Sequence, residues 1–99
     1  MADVRSWQYS ANARRDIKDI LDRTDDEWGV AQMVTYGRMV HAAILLICRH
    51  PESGHTHADL PKNYRICPVG SHLIIYRRKR ASLVIVRILH QAMNLQKHV

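Results

Sequence analysis

Along the chain the hydrophobic positions change period twice, which divides it into a short strand, two unlike helices, a polar loop and three further strands. Val4 to Tyr9 can form the first strand, and Ser10 is a suitable N-cap for a helix running to Glu27. Within that helix Ala13, Ile17, Ile20, Leu21 and Trp28 fall on one stripe, so a single face is buried. On the wet side Arg15 stands four residues before Asp19 and Lys18 four before Asp22, spacings that bring opposite charges together. Trp28 and Gly29 close the helix, and a second begins at Val30. It must stop near His50, because Pro51 disfavours helical geometry in the residue before it. So short a link predicts an antiparallel helical hairpin.

The second helix differs in kind. In residues 39–48, MVHAAILLIC, the one polar side chain is His41. Val30, Met33, Val34, Gly37, Val40, Ile44 and Ile47 are expected to face the core. That leaves Met39, Ala42, Ala43 and Leu46 as a second apolar stripe, more than a monomer of this size readily covers. Either the first helix covers them or they form a groove for a partner's amphipathic helix, a role for which Met is well suited.

Pro51 to Asn63 is polar, with Gly54, Pro61 and Asn63 as turn formers, and reads as a loop. Strands are expected at Tyr64–Val69, His72–Arg78 and Ser82–Leu89. Gly70 and Ser71 fit a two-residue hairpin loop whose first position has positive φ, and Lys79 and Arg80 are read as a second such loop. With those loops Ile66, Leu73, Ile75, Val84, Val86 and Ile88 share a face, the aliphatic one expected to pack on the helices. The opposite face collects Arg65, Cys67, His72, Ile74, Tyr76, Leu83, Ile85 and Arg87. The fold class is therefore α+β: an N-terminal strand and an antiparallel helical hairpin on a mainly antiparallel sheet of three to four strands.

Ninety-nine residues make one domain, 1–99, with little room for a separate cofactor domain, and no cofactor is expected. The net charge of +6 is uneven: residues 1–30 hold five Lys or Arg against seven acidic groups, whereas residues 31–99 hold ten against two, a net +8. Such asymmetry points to an anionic partner, an acidic protein segment or nucleic acid. Arg77, Arg78, Lys79 and Arg80 concentrate it at one turn. Cys48 and Cys67 have no framework spacing and read as buried, reduced thiols. No signal-peptide order opens the chain, and no apolar run approaches the length of a membrane span; the expectation is a soluble cytoplasmic protein. Cys48 with His50, and His55 with His57, have spacings that suggest zinc, but they surround a helix end and a polar loop without a second CxxC pair, so no metal site is expected.

An arginine inside an aliphatic strand is not asked for by packing, and Arg87, Ile88, Leu89 and His90, then Met93 and Asn94, closely resemble the C-terminal signature of the ParE toxins of the RelE/ParE superfamily. Ala13, Asp16, Ile17, Ile20, Trp28, Gly29, Pro51, Gly54, Tyr64, Arg65, Gly70, His72 and Tyr76 fall in that family's order over nearly the whole chain. Asn94 departs from it, since the family more often has Asp there. The resemblance implies a bacterial toxin that causes growth arrest by stalling DNA gyrase on cleaved DNA, breaking no bond itself, with plasmid stabilisation among the roles of such systems. It also implies a hetero-oligomer with a ParD-like antitoxin, and no membrane partner. Met39, Ala42, Ala43 and Leu46 are then the antitoxin-binding candidates, and Arg65, Arg77, Arg78, Arg80 and Arg87 the target-binding ones. RelE-type members instead cleave messenger RNA on the ribosome. On residue types alone Arg65 and Arg87 suit the phosphate and His72 or Tyr76 the proton transfers, so the alternative catalytic set is Arg65, His72, Tyr76 and Arg87. A plain DNA-binding protein stands third, suggested by the basic turn but lacking a recognition helix. His90 reads as a structural histidine bonded to a neighbouring backbone group.

Overall fold

The computed structural model describes residues 4–99. In chain order it forms β1 (Ser6–Tyr9), α1 (Ala11–Trp28), α2 (Val30–Arg49), β2 (Tyr64–Val69), β3 (His72–Lys79), β4 (Ser82–His90) and a terminal turn of helix, α3 (Leu95–His98). The strands make one sheet in the order β1-β4-β3-β2, with β1 parallel to β4 and the other neighbours antiparallel. This is the expected α+β architecture, with the N-terminal strand placed at an edge beside the last strand.

Ser10 turns the chain from β1 into α1. Its N–H donates to Ile85 O (2.9 Å) and its hydroxyl donates to Val86 O (2.7 Å) while accepting from Ala13 N–H (3.0 Å). The N-cap is thereby welded to β4. At the other end Gly29, at φ +91°, donates its N–H to Asp25 O (2.8 Å) and leads directly into α2, closing the hairpin. Lys18 pairs with Asp22 as the spacing predicts (2.7 Å). Arg15 does not reach Asp19 and donates to Asn12 instead.

Two expectations for α2 need correcting. Val40, Ile44 and Ile47 are buried, joined by Cys48, but Val30 and Val34 are exposed. Residues 26–32 are all exposed, so the hairpin tip runs clear of the sheet and its apolar residues find nothing to pack on. By length and composition α2 is also apolar enough to cross a membrane, contrary to the sequence reading. Of the two cysteines, both reduced, Cys48 is buried and Cys67 partly exposed.

The largest correction concerns the sheet. The helix-facing core is Val69, Ile74, Tyr76, Leu83, Ile85 and Ile88 against Ala13, Val40, Ile44 and Ile47. Ile66, Ile75 and Leu89 lie with Leu60 in a second cluster, joined by Leu73, Val86, Tyr64 and Leu95. Of the six residues expected against the helices, Ile88 alone is in the main core. The physical reason is that both faces are aliphatic and both are covered, one by α1 and α2, the other by the loop at Leu60 and by α3 at Leu95. A β-bulge between Ile75 and Tyr76, which pair with Arg87 and Ile85, leaves Val86 as an extra residue and breaks the alternation in β4. The Gly70–Ser71 loop forms as predicted, with Gly70 at φ +54°. The second loop is Arg80–Ala81 rather than Lys79–Arg80, with Arg80 at φ +57° and Lys79 paired to Ser82.

Candidate functional site

The side chains singled out in the sequence separate into four places. The first lies at the outer edge of β2 and β3, where Pro51 ends α2 and the loop folds back. Arg65 stands opposite Tyr76. Its guanidinium donates to Gly54 O (2.8 Å), Glu52 O (3.2 Å) and the Glu52 carboxylate (3.1 Å), and Arg78 lies 3.7 Å from that same carboxylate. Tyr76, 1% exposed, donates its hydroxyl to Pro51 O (2.9 Å) and accepts from Gly54 N–H (2.9 Å). A Cβ on Gly54 would stand 2.4 Å from that hydroxyl, so the close approach requires glycine. Lys62 and Asn63 complete a cavity of about 210 Å³ beside these groups. Burial pushes the Tyr76 phenol above its ordinary 10, against the Gly54 N–H and the Arg65 charge, which pull it down. Both of its hydrogen bonds are structural. Tyr76→Phe should therefore strand two buried backbone groups and cost roughly 2 kcal/mol, read as a fall of about 8–16 °C in melting midpoint. A shift under about 3 °C would mean that water or the relaxed loop satisfies them.

The second place is the opposite end of β3. His72 precedes Tyr76 by four residues, roughly 13 Å along a strand, and its Nδ1 lies 2.6 Å from the Tyr36 hydroxyl of α2. That hydroxyl also reaches Val69 O (3.2 Å). A phenol has one proton, so when Val69 O accepts it, His72 Nδ1–H donates to the phenol oxygen. The His90 ring stands 5.5 Å from that of His72. His90 Nδ1 accepts from Ala92 N–H (3.2 Å), a structural bond of the kind expected for it. Burial, and then the neighbouring His90, lower the His72 pKa below 6.5. The fold thus prefers neutral His72, and this contribution to stability is intact above the unfolded value of 6.5 and lost as pH falls below it. The drop in melting midpoint from pH 7 to pH 5 should be smaller in His72→Gln than in the wild type. Equal drops would place the titration elsewhere.

The third place is a clamp. Arg87 is bidentate on Asp16 of α1, Nε to Oδ2 at 2.7 Å and Nη2 to Oδ1 at 2.9 Å, and it also donates to His98 O. Asp16 accepts Ile88 N–H as well (3.0 Å). Both side chains are largely buried, at 20% and 14% exposure. β1 stops at Tyr9, opposite Ile85. Beyond that point the β4 edge is open, and Asp16 caps it.

The fourth is surface: α2 leaves Met39, Ala42 and Leu46 exposed, with Leu45 and Val34 beside them, while Ala43 is half-buried against the core. The first helix does not cover the stripe. Exposed Arg38 and Arg49 flank it.

The four side chains of the alternative catalytic set are thus not gathered: Arg65 and Tyr76 share one edge, His72 the far end of the strand, and Arg87 the clamp. Among the target-binding candidates Arg65 and Arg78 are paired with Glu52 and Arg87 with Asp16, while Arg77 is half-buried within β3 and Arg80 lies at the exposed turn. Sequence reasoning missed Asp16 as the partner of Arg87, and it missed Leu45, which helical spacing from Ala42 would have found. Arg5 was also missed. Its N–H donates to Ala81 O (3.0 Å), which sets it beside the basic turn.

A helical hairpin across a four-stranded sheet, with an exposed apolar helix face and a basic turn, defines a small α+β protein. The matching family model is that of the ParE toxin of type II toxin-antitoxin systems, parDE, over residues 8–95. Toxin ParE1 of Caulobacter vibrioides is 35% identical over 96 residues, covering 97% of this chain and 99% of that protein. Toxin ParE1 of Mycobacterium tuberculosis is 32% identical over 94 residues, covering 94% and 96%. The chain belongs to the ParE family: it is a ParE-type toxin of a type II toxin-antitoxin system. Solved structures agree on the fold. A chain of the chromosomal ParDE system of P. aeruginosa superposes with a TM-score of 0.74 at 15% identity, covering 88% of this chain and 96% of its own. One from the toxin-antitoxin complex RelBE2 of Mycobacterium tuberculosis gives 0.63 at 19%, covering 94% and 97%.

Proposed function

We propose that this toxin, one domain over residues 1–99, acts in the bacterial cytoplasm by binding DNA gyrase, or gyrase with its DNA, and arresting it without breaking a bond. A ParD-like antitoxin neutralises it in a hetero-oligomer. The observation that carries the non-enzymatic part is the dispersal of Arg65, His72, Tyr76 and Arg87. General acid-base catalysis needs its groups within hydrogen-bond reach of one substrate, and here Tyr76 is committed to Pro51 and Gly54, Arg87 to Asp16. Family membership supports the gyrase target by association.

For the antitoxin, support comes from the uncovered apolar stripe of α2 with Arg38 and Arg49 beside it, which suits an amphipathic, acidic helix. The similar solved structures are described as a ParDE system and as a RelBE2 toxin-antitoxin complex. No bilayer is needed to explain α2, whose Val40, Ile44 and Ile47 are spent on the core of the sheet. The ribonuclease alternative is tested on programmed ribosomes: the wild type should leave the message uncut. Cleavage that disappears in His72→Ala would replace this reading.

A further inference from the structure

Trp7 and Tyr9 pack on the helix-side core, so the alternating Ser6 and Gln8 belong to the other face of the sheet. Ser6 lies opposite Ser82, and Ser82 opposite Lys79. These residues, with Arg5 and Arg80, line a shallow hollow of about 300 Å³. The rest of that face is covered by Leu60 and Leu95, but this corner is open. Arg77 continues the hollow along the same face, in a row that pairs Gln8 with Val84, Val84 with Arg77 and Arg77 with Tyr64.

The chemistry of the hollow is one-sided. Arg5, Lys79 and Arg80 bring three formal positive charges, and no Asp or Glu is among the described lining residues. The Ser82 hydroxyl is committed to Lys79 O (2.9 Å) and holds the turn. Ser6 and Gln8 add short neutral donors. We propose that this hollow is a binding site for the phosphodiester backbone of duplex DNA. An acidic protein tail is the other polyanion to weigh, but such a tail carries apolar groups with its charges. The exposed apolar residues Met39, Leu45 and Leu46 are on α2, in the other layer. A surface of cations and small polar groups, without apolar anchors, matches a ligand that is charge and oxygen alone. The inference deepens the target reading by giving the DNA of a gyrase–DNA complex a place on the toxin. It rests on that reading only for its setting, because the test contains no gyrase.

Purified toxin is titrated against a short fluorescein-labelled DNA duplex of mixed sequence by anisotropy, over a salt series. Three phosphate contacts give a slope of log K on log salt of about −2.7, an affinity loss of about forty-fold between about 50 and 200 mM. Arg5→Ala, Lys79→Ala and Arg80→Gly should each bring the slope to about −1.8 and the loss to about twelve-fold. Arg80→Gly keeps the turn, since glycine adopts the positive φ of this position without steric strain. Arg14→Ala and Arg23→Ala, on the exposed side of α1, should leave the slope alone. A slope unmoved by all three hollow variants would overturn the site. Polyglutamate competing as well as unlabelled duplex at equal charge would overturn the phosphate assignment, and tighter binding of single-stranded RNA would overturn duplex DNA.

Discussion

Arg87→Ala is expected to lower stability by about 3 kcal/mol, a fall of about 12–24 °C in melting midpoint. The loss comes less from the attraction removed than from what is left behind. Asp16 would keep one hydrogen bond, from Ile88 N–H, and would lie largely buried with no cation opposite. The expected figure sits at the low end for breaking a buried pair because both side chains retain some solvent. The double variant Arg87→Ala, Asp16→Ala should be more stable than the sum of the single losses predicts, since it strands no charge. The release of His98 O should also expose α3 to faster hydrogen exchange. A loss below about 1 kcal/mol, the range of an exposed pair, would show that Arg87 is available for a partner and is not part of the frame.

Leu46→Glu should weaken binding of the antitoxin's C-terminal segment by about thirty-fold or more, with the melting midpoint nearly unchanged. Leu46 is 57% exposed, so a charge there disturbs no core. In a helix-on-helix contact, by contrast, it would place a carboxylate at the centre of the apolar stripe, where truncations alone cost about 2 kcal/mol or more. Met39, seven residues back, and Ala42, four back, lie on the same exposed face of α2 and should respond in the same direction. Unchanged affinity in a folded variant would remove this stripe from the interface.

Much of the frame was legible because local signals carried it. Ser10 as N-cap, Gly29 at the corner, Pro51 after the second helix and Gly70 in the hairpin each act within a few residues. The excess of apolar groups on α2 was legible too, since a helix buries only one side against a sheet. What could not be read was which face of the sheet the helices choose. Ile74 and Ile75 are adjacent, aliphatic and both fully buried, and nothing local distinguishes them. The decision lies in long-range packing, with Leu60 and Leu95 covering the second face, and in a bulge that leaves Val86 unpaired. The error carried through to the candidate site: Tyr76, assigned to the face away from the helices and to proton transfer, is a residue of the helix-side core. Arg87 illustrates the other limit. A strand arginine announces that it needs a partner, but Asp16 is 71 residues away, and only the fold brings it there.

The proposed action of this ParE-family chain by contact on gyrase is tested most directly by a gyrase supercoiling assay that also resolves cleaved DNA. Wild-type toxin should reduce supercoiling or accumulate cleaved DNA in proportion to its occupancy of gyrase, and His72→Ala should retain that effect once corrected for folded fraction. Gyrase that supercoils normally at saturating, folded toxin, leaving no cleaved DNA, would contradict the account.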